Sequence, residues 1–466
     1  MAREITDQEK QVARELKARA AAAMKAIEDY DQATVDRACR AIAWATANEL
    51  TAIRLANMSV DESGMGSREP TRRAKVLGIL RDALRQKSMG VIEEIPEKGI
   101  VKYAKPAGVI AALIPVTSAY VTPAGIAIYA LKCKDAVIFS PHPASKNTTN
   151  EVVRIMRCTL KKLGIPEDIL QSIAKPSIPL AQEIMSICDL TIATGGPAMV
   201  KSAYGSGKPA LGVGAGNATM VIDETANIAE AAMNSRISKT NDNGSGCSAD
   251  GNLVVEASIY DAFLTQLQRE GGYLVSPEEK ALLQKAYWDA DGHRTSDTIA
   301  RPAAVVAAKA GFELPEGKTF LIAEEDKIGK EYLFSTEKLG IVVSIFKYSG
   351  FETALAMAKK IFDTAGKGHS CGIYSFDDDH IHRLALVAPV SRIMVRQPQS
   401  RANAGHFTNG MPMTSSMGCG IWGGNITNEN IHLKHYMNVT WVSRPLPEDR
   451  PSDAELFGEF NNTEIF

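Results

Sequence analysis

The sequence predicts an α/β protein built on parallel sheets that helices cover on both faces. Short apolar segments alternate with helical segments from residue 109 onward, and the alternation begins again after Cys247. The apolar segments are nearly continuous, as expected of strands that are buried on both faces. A chain of 466 residues is too long for one core, so we expect two or three domains.

The region before the first apolar strand is predicted to be helical and then to form a hairpin. Residues 6–60 have helical periodicity, and a further helix is expected from Pro70 to Leu84 with the proline in its first turn. Two short strands around a turn at residues 96–99 predict a hairpin near 90–104.

The alternation that follows assigns most of the remaining chain. Before the cysteine the expected strands are 109–115, 136–140, 190–193 and 219–222, with helices at 125–131, 151–163 and 197–204. After it the expected strands are 252–255, 319–323, 341–348, 372–376 and 392–395, with helices at 259–269 and 351–361. Residues 432–442 resemble an edge strand without an obvious partner, which suggests pairing between subunits.

Composition excludes several classes of function. Lys and Arg number 52 against 54 Asp and Glu, so the net charge of −2 offers no footprint for nucleic acid or an anionic membrane. Seven scattered cysteines indicate neither a disulfide framework nor a metal site, and reduced thiols in the cytoplasm fit best. The uncharged run 106–131 is interrupted by prolines and hydroxyl residues, so we expect no membrane span, and the charged N-terminus has no export signal.

One loop carries the clearest chemical signal. Residues 241–250 place Cys247 among glycine, Asn, Asp and Ser, just before an apolar strand. Such a loop leaves a thiol accessible and lets backbone N–H groups approach it, as a nucleophile requires. The alternative is an ordinary loop cysteine.

Three further motifs could bind a cofactor or assist the thiol. Thr194-Gly195-Gly196 follows a strand and opens a helix, a place where phosphate binds backbone N–H groups. Ser140 and His142 lie at the end of a strand, where ligands bind in open α/β sheets. His369 lies in a glycine loop, where it could act as a base, a polar contact or a structural residue. The run 212–217 precedes a strand, so a packed loop is expected there rather than a phosphate cradle.

These motifs together resemble the coenzyme A-acylating aldehyde dehydrogenases. The Cys247 loop, Thr-Gly-Gly, Gly-Val-Gly-Ala-Gly-Asn, Gly-His-Ser and the run 417–425 occur in that family's order, and the resemblance covers about residues 15–445. It is strongest to the branch with sulfoacetaldehyde and succinate-semialdehyde dehydrogenases. The resemblance implies a Rossmann-like cofactor domain at 1–240 with an oligomerisation hairpin, a catalytic α/β domain at 241–427, and a C-terminal oligomerisation strand and tail at 428–466.

The resemblance also implies roles for single residues. Cys247 becomes the nucleophile, and Thr194, Gly195 and Gly196 match the turn that binds the cofactor pyrophosphate. Ser140 and His142 match the adenosine side, and Glu337 matches a contact to the nicotinamide ribose, with a solvated glutamate as the alternative. Gly212 stands where hydrolytic relatives carry a glutamate that activates water, so transfer to coenzyme A is expected rather than hydrolysis.

Two departures from the family pattern bear on the substrate. Ser118, or its neighbour Thr117, replaces the usual asparagine that holds the oxyanion. Arg396 and Arg401 occur where relatives have small or neutral residues, and arginine suits a carboxylate or sulfonate. The alternatives for these arginines are a surface salt bridge or contact with coenzyme A phosphates.

The expected enzyme is therefore an acylating dehydrogenase for a short anionic aldehyde. Sulfoacetaldehyde is favoured and succinate semialdehyde comes next. The rivals are an uncharged aldehyde such as acetaldehyde or propanal, a phosphoreductase, and a non-catalytic member of the superfamily. Coenzyme A is the expected cosubstrate with NADP or NAD; Ser145 and Lys146 could tolerate the 2′-phosphate of NADP. We expect a homodimer or homotetramer, no metal, and no nucleic-acid or membrane partner.

Overall fold

The computed structural model describes residues 3–464. Residues 1–2 of the expected cofactor domain and residues 465–466 of the expected C-terminal tail lie outside this range. Helices and strands alternate as the sequence indicates. The helices are α1 Asp7–Ala26, α2 Gln32–Ala47, α3 Glu49–Ser63, α4 Arg73–Leu84, α5 Val121–Lys132, α6 Lys146–Lys162, α7 Ile178–Ile187, α8 Pro197–Tyr204, α9 Ile228–Thr240, α10 Tyr260–Arg269, α11 Pro277–Tyr287, α12 Ala303–Ala310, α13 Phe351–Thr364, α14 Asp378–Val387, α15 Gln399–Ala402 and α16 Asp453–Phe457.

The strands form three sheets. They are β1 Gly90–Ile95, β2 Ile100–Pro106, β3 Val109–Ile114, β4 Ala136–Pro141, β5 Leu170–Ser172, β6 Leu190–Thr194, β7 Ala210–Val213, β8 Thr219–Ile222, β9 Asn252–Glu256, β10 Gly272–Leu274, β11 Phe320–Glu325, β12 Val342–Tyr348, β13 Cys371–Tyr374, β14 Ile393–Val395 and β15 Met437–Ser443. A five-stranded sheet has the order β5-β4-β3-β6-β7, and a seven-stranded sheet has the order β10-β11-β12-β9-β8-β13-β14. Every pairing within these two sheets is parallel.

Both parallel sheets are buried on both faces, which explains their nearly continuous apolar strands. In β9, Leu253 and Val255 pack in one core cluster of the seven-stranded sheet, while Val254 between them packs in the cluster on the other face. Because side chains alternate across a strand, a strand between two helix layers must be apolar at successive positions. The α/β class predicted from the sequence is confirmed.

The passage from one sheet to the other differs from the division expected at 240/241. The strand β8 belongs to the seven-stranded sheet, between β9 and β13. The chain therefore leaves the five-stranded sheet after Val213 and enters the seven-stranded sheet at Thr219. A buried parallel strand has the same composition in either sheet, so sequence patterning does not reveal the sheet to which it belongs.

The hairpin near 90–104 is present, and the C-terminal strand has a partner in its own chain. The strand β15 pairs antiparallel with β2, from Met437 opposite Pro106 to Ser443 opposite Ile100. The missing partner inferred from the sequence is thus the hairpin itself. The outer strand stays exposed, with Trp441 58% accessible.

One helix boundary differs from expectation for a local reason. Pro70 precedes α4 instead of lying in its first turn, because Arg72 is the N-cap residue and the helix begins at Arg73.

None of the described helices combines the length and the apolar character that crossing a bilayer requires.

Candidate active site

The candidate site lies where the strand ends of one parallel sheet face the strand ends of the other. Segments that follow strands of the five-stranded sheet approach from one side: Ser118 after β3, His142 after β4 and Thr194 at the end of β6. Segments that precede four adjacent strands of the other sheet approach from the opposite side; they contain Glu337 before β12, Cys247 before β9, Gly214–Gly216 before β8 and His369 before β13. Because the strands within each sheet are parallel, each set of loops emerges at one edge.

A cavity of about 800 Å³ separates the two edges. Most of the residues expected to act line it: Thr117, Ser118, His142, Thr194, Gly195, Gly196, Cys247, Glu337 and Arg401. Ser140, Arg396 and His369 are not part of this lining. A cleft of this size between two sheets is a typical site for a cofactor together with a small substrate.

Cys247 and His369 form the central pair. The Nε2 atom of His369 lies 3.0 Å from the Sγ atom of Cys247, and its Nδ1 atom lies 2.8 Å from the hydroxyl of Ser370. The imidazole is fully buried behind the cysteine, which explains why it contacts the thiol without lining the cavity. If the Ser370 hydroxyl accepts the Nδ1 proton, Nε2 is free to accept the thiol proton.

The pair is neutral at rest. Burial, with a smaller contribution from the nearby Arg392 charge, lowers the pKa of His369 to about 3. Burial, and then the Glu337 carboxylate, raise the pKa of Cys247 to about 12, although the charges of Lys75 and Arg72 oppose this. The thiol is therefore held by a neutral hydrogen bond instead of being stored as a thiolate–imidazolium pair.

Left-handed backbone conformations shape the cysteine loop. Asp242 and Asn243 both have φ of 52°, and Gly244 has φ of 68°. Asn and Asp tolerate this region better than most residues, and glycine adopts it without penalty. The polar residues of this segment thus serve the backbone turn that directs Cys247 into the cavity.

Arg72, a residue that the sequence analysis did not identify, clamps this loop to the segment that carries Ser118. Its Nε atom lies 2.8 Å from the Asp242 carboxylate, and its side chain also donates to the Ser245 hydroxyl. A third bond of 3.0 Å reaches the backbone carbonyl of Thr117. The two charged side chains are only 12% and 5% exposed, so the pair is well shielded from solvent.

The Thr194-Gly195-Gly196 turn has the features of an anion site. Gly196 is the N-cap residue of α8 and supplies no side-chain cap, so first-turn N–H groups remain available. A Cβ atom added at Gly196 would meet no atom within 4 Å, because this glycine faces open space. The Thr194 hydroxyl is fixed by the Ser416 hydroxyl at 2.8 Å. These residues fit a pyrophosphate group that lies against the backbone.

Glu337 is the one carboxylate among the described residues that line the cavity. Its Oε1 atom accepts a 3.0 Å hydrogen bond from the Gly216 N–H. Burial raises the pKa of Glu337 to about 7, against the lowering effect of that hydrogen bond. Near neutral pH this side chain can therefore either accept or donate a hydrogen bond.

Comparison with known proteins agrees with this geometry. Residues 2–274 match the aldehyde dehydrogenase family. The chain belongs to the aldehyde dehydrogenase family. It is 43% identical to the sulfoacetaldehyde dehydrogenase of Acholeplasma sp., over 95% of this chain and 93% of that protein. It is 34% identical to the acetylating succinate-semialdehyde dehydrogenase of Clostridium kluyveri, over 96% of this chain and 98% of that protein.

A solved structure gives the same result. The acetylating aldehyde dehydrogenase of Geobacillus thermoglucosidasius superposes with a TM-score of 0.91 at 32% identity, over 96% of this chain and 99% of that chain. The aldehyde dehydrogenase fold, the enzyme class of oxidoreductase, and the resemblance to the acylating branch are thereby confirmed.

Within this family the position of Gly212 needs a correction. A Cβ atom at Gly212 would meet Val200 at 2.6 Å and Tyr204 at 2.9 Å, so a side chain there would point toward α8. Gly212 also does not line the cavity, whereas Val213 and Gly214 do. The lack of a second carboxylate among the described lining residues, instead of the identity of residue 212, now argues against a base for hydrolysis.

The structure separates the two arginines that the sequence analysis paired. Arg396 adopts a φ of 51°, donates to the Ser375 carbonyl and lies over the Phe376 ring at 4.4 Å. These contacts direct it away from the cavity, so it is withdrawn as a substrate residue. Arg401 does line the cavity, at an exposed position. Ser140 is buried in β4 and does not line the cavity. Of the two residues predicted at this strand end, His142 is the one that lines it.

Proposed function

We propose that this protein is a coenzyme A-acylating aldehyde dehydrogenase for a short anionic aldehyde, with sulfoacetaldehyde as the favoured substrate. The observation that carries the proposal is the Cys247–His369 contact of 3.0 Å at the edge of a large cavity. Similarity to a sulfoacetaldehyde dehydrogenase across nearly the whole chain supports the substrate. Succinate semialdehyde is the second candidate, because an acetylating dehydrogenase for that aldehyde is also similar along almost its full length.

The proposed reaction begins at Cys247. Its thiol gives up a proton and attacks the aldehyde carbon, which forms a thiohemiacetal on the enzyme. The Cys247 N–H and the hydroxyl of Ser118 or Thr117 would donate hydrogen bonds to the developing oxyanion. His369 orients the thiol through Nε2, with the Ser370 hydroxyl fixing the other ring nitrogen, and because its pKa is about 3 it passes the thiol proton on to solvent instead of keeping it.

The nicotinamide cofactor, NADP or NAD, would when bound accept the hydride that leaves the thiohemiacetal carbon, and loss of the hydroxyl proton then leaves a thioester on Cys247. We propose that Thr194, Gly195 and Gly196 hold its pyrophosphate, that His142 contacts the adenosine side, and that Glu337 contacts the ribose. The five-stranded sheet would thus carry the cofactor, and the loops of the seven-stranded sheet would carry the reacting thiol.

The acyl group is then transferred from Cys247 to the thiol of coenzyme A. In the reverse direction, an acyl-CoA would acylate Cys247 and the acyl group would be reduced to the aldehyde. Hydrolysis would compete only if a basic residue activated water at the thioester. Glu337 is already engaged with the Gly216 N–H, and the described lining residues offer no other carboxylate. With no further carboxylate among the described lining residues to activate water, we propose that a thiol acceptor is favoured over water.

The charge of the cavity supports an anionic aldehyde. Among the described residues that line it, three are cationic, Arg72, Lys75 and Arg401, and one is a carboxylate, Glu337. Arg72 is neutralised by Asp242, but Arg401 makes no side-chain hydrogen bond or ion pair with a described residue. We propose that Arg401 meets an anion at the entrance, either the aldehyde tail or the phosphates of coenzyme A.

The subunits are proposed to associate through the three-stranded sheet. The outer strand β15 exposes Val439, Trp441 and Val442, which are 39%, 58% and 40% accessible. An exposed edge with large apolar side chains is a liability for a monomer and a suitable surface for a second copy. This supports the homodimer or homotetramer that the sequence led us to expect.

A coupled assay tests the proposed function. Purified protein is incubated with sulfoacetaldehyde, succinate semialdehyde or propanal and with either nicotinamide, in the presence and absence of coenzyme A. We expect formation of reduced nicotinamide that requires coenzyme A and is fastest with sulfoacetaldehyde. The Cys247→Ala variant is expected to be inactive. Turnover that ignores coenzyme A, or activity that survives in the variant, would refute the proposal.

A further inference from the structure

We propose that Lys75 binds the anionic end of the aldehyde inside the cavity and next to Cys247. The inference rests on the proposed function and deepens it, because it names the residue that selects an anionic over a neutral aldehyde. Lys75 belongs to α4, outside the motifs that define the cysteine loop and the cofactor turn.

Lys75 is a cation without a partner among the residues that the structure describes. It lines the cavity, yet its ammonium group makes no hydrogen bond or ion pair with any residue of the described range 3–464. Its neighbours are engaged: Arg72 contacts Asp242, and Arg73 donates from Nε to the Ala47 carbonyl at 2.6 Å. A partly buried charge of this kind is costly unless an opposite charge arrives to compensate it.

The position of Lys75 on its helix makes this cost larger. Lys75 lies in the first turn of α4, where the partial positive charge of the helix favours Asp and Glu. That turn contains no acidic residue and instead has Arg72 as its N-cap, followed by Arg73 and Lys75. The Asp242 carboxylate, which is already paired with Arg72, offsets only part of this cost. Violations of a local rule are expected at functional sites. The turn as a whole is suited to receive an anion.

Lys75 also lies close enough to the thiol for their charges to interact. The Lys75 charge lowers the pKa of Cys247, and a Cys247 thiolate in turn raises the pKa of Lys75. Burial, and then the Arg72 charge, lower the pKa of Lys75 to about 8, so the ammonium is still mostly protonated at neutral pH. The available cation is therefore charged when the aldehyde binds.

The reach of the substrate distinguishes Lys75 from Arg401. In sulfoacetaldehyde one methylene group separates the sulfonate from the carbonyl carbon that the thiol attacks. The cation that holds this sulfonate must share the cavity with Cys247 and act on the thiol; Lys75 lines that cavity, and its charge lowers the pKa of Cys247. Arg401 is exposed and lies near His406, whose pKa it lowers after the larger effect of burial. Arg401 thus suits a more distant phosphate, and Lys75 suits the short anion.

Three substitutions test the role of Lys75 in substrate choice. Lys75→Met keeps the length and apolar stem of the side chain but removes the charge, and Lys75→Arg keeps the charge. Arg73→Met is the matched control, since it removes a cation of the same turn that points elsewhere. We expect Lys75→Met to lower kcat/KM for sulfoacetaldehyde by at least about 30-fold, mostly through KM, and that for propanal by less than about threefold. Lys75→Arg should recover most of the loss, and Arg73→Met should not separate the two substrates.

A second measurement needs neither nicotinamide nor coenzyme A. Iodoacetamide alkylates Cys247, and ethanesulfonate, which carries the sulfonate but no aldehyde, should slow this reaction in the wild type and not in Lys75→Met. If the wild type produces no reduced nicotinamide with any aldehyde, the proposed function fails while this protection still reports on Lys75. Equal losses with both aldehydes, or protection that survives in Lys75→Met, would overturn the inference. The first of these results would assign Lys75 to the thiol instead of the substrate.

Discussion

Gly216 places the nucleophile, and its replacement by alanine is the most direct test of the site geometry. Gly216 lies in the connection between β7 and β8, against the backbone of the cysteine loop. A Cβ atom on Gly216 would lie 1.9 Å from the carbonyl oxygen of Cys247 and 2.7 Å from its carbonyl carbon. These are backbone atoms, so a change of rotamer cannot relieve the clash.

The size of the effect follows from the displacement that alanine would force. Ordinary contacts of a Cβ atom begin at about 3.4 Å, so one of the two segments must move by roughly 1.5 Å. A displacement of about 1 Å at a reacting group costs on the order of 10²-fold in rate. We therefore expect Gly216→Ala to lower kcat by at least about 10²-fold, which corresponds to about 2.7 kcal/mol in the barrier. The 3.0 Å hydrogen bond from the Gly216 N–H to Glu337 would be disturbed as well.

Two readouts and a matched control make the test specific. The rate of Cys247 alkylation by iodoacetamide reports on the thiol, and kcat in the coenzyme A-dependent assay reports on the reaction. Gly410→Ala is the control, because a Cβ atom there meets nothing within 4 Å and Gly410 does not line the cavity. If Gly216→Ala alkylates and turns over at wild-type rates, the loop is not held as the structure indicates and the reasoning fails.

Two further predictions concern the clamp and the resting charge of the thiol. Arg72→Met leaves Asp242 buried without its cation, so we expect the free energy of unfolding in urea to fall by about 3 kcal/mol and the alkylation of Cys247 to become slower. The control Arg73→Met should leave the alkylation rate within about twofold of wild type. Equal behaviour of the two variants would contradict the clamp. Because the pKa of Cys247 is raised to about 12 and that of His369 is lowered to about 3, the thiolate fraction rises with pH throughout the working range. Alkylation should therefore increase about tenfold per pH unit from pH 6 to 9; a plateau below pH 8 would instead reveal a thiolate–imidazolium pair.

The sequence was most informative where a local pattern determines the structure. Buried strands such as β9 and β12 and the Pro96 turn of the hairpin follow from apolar runs and turn residues, and the structure contains them. Elements without a clear apolar face or with few residues were not identified, among them the helix α9, whose apolar residues do not follow one face, and the four-residue strand β7. The sheet to which β8 belongs was also beyond reach, since membership depends on contacts between distant segments.

The same distinction applies to single residues of the site: those that depend on local sequence could be predicted, and those that depend on distant segments could not. Cys247 and the Thr194 turn could be proposed because their chemistry and their local backbone coincide. Arg396 could not be placed correctly, because its left-handed φ of 51° turns the side chain onto Phe376, and no pattern in a strand predicts such a turn. The contact between His369 and the thiol joins residues 122 positions apart, and only the adjacency of β8, β9 and β13 brings them together.

Lys75 shows that a broken rule can be a stronger signal than a matched motif. The start of α4, from its N-cap onward, contains Arg72, Arg73 and Lys75 and no acidic residue in the first turn, against the preference of a helix N-terminus. From the sequence this is one basic cluster on a helix, which usually means a solvated face. The structure gives each cation a different situation: Arg72 is paired with Asp242, Arg73 is bound to the Ala47 carbonyl, and Lys75 is left facing the cavity. Asp242, paired with Arg72, offsets part of the Lys75 charge, and in the cavity that Lys75 shares with Cys247 the substrate anion would offset the rest.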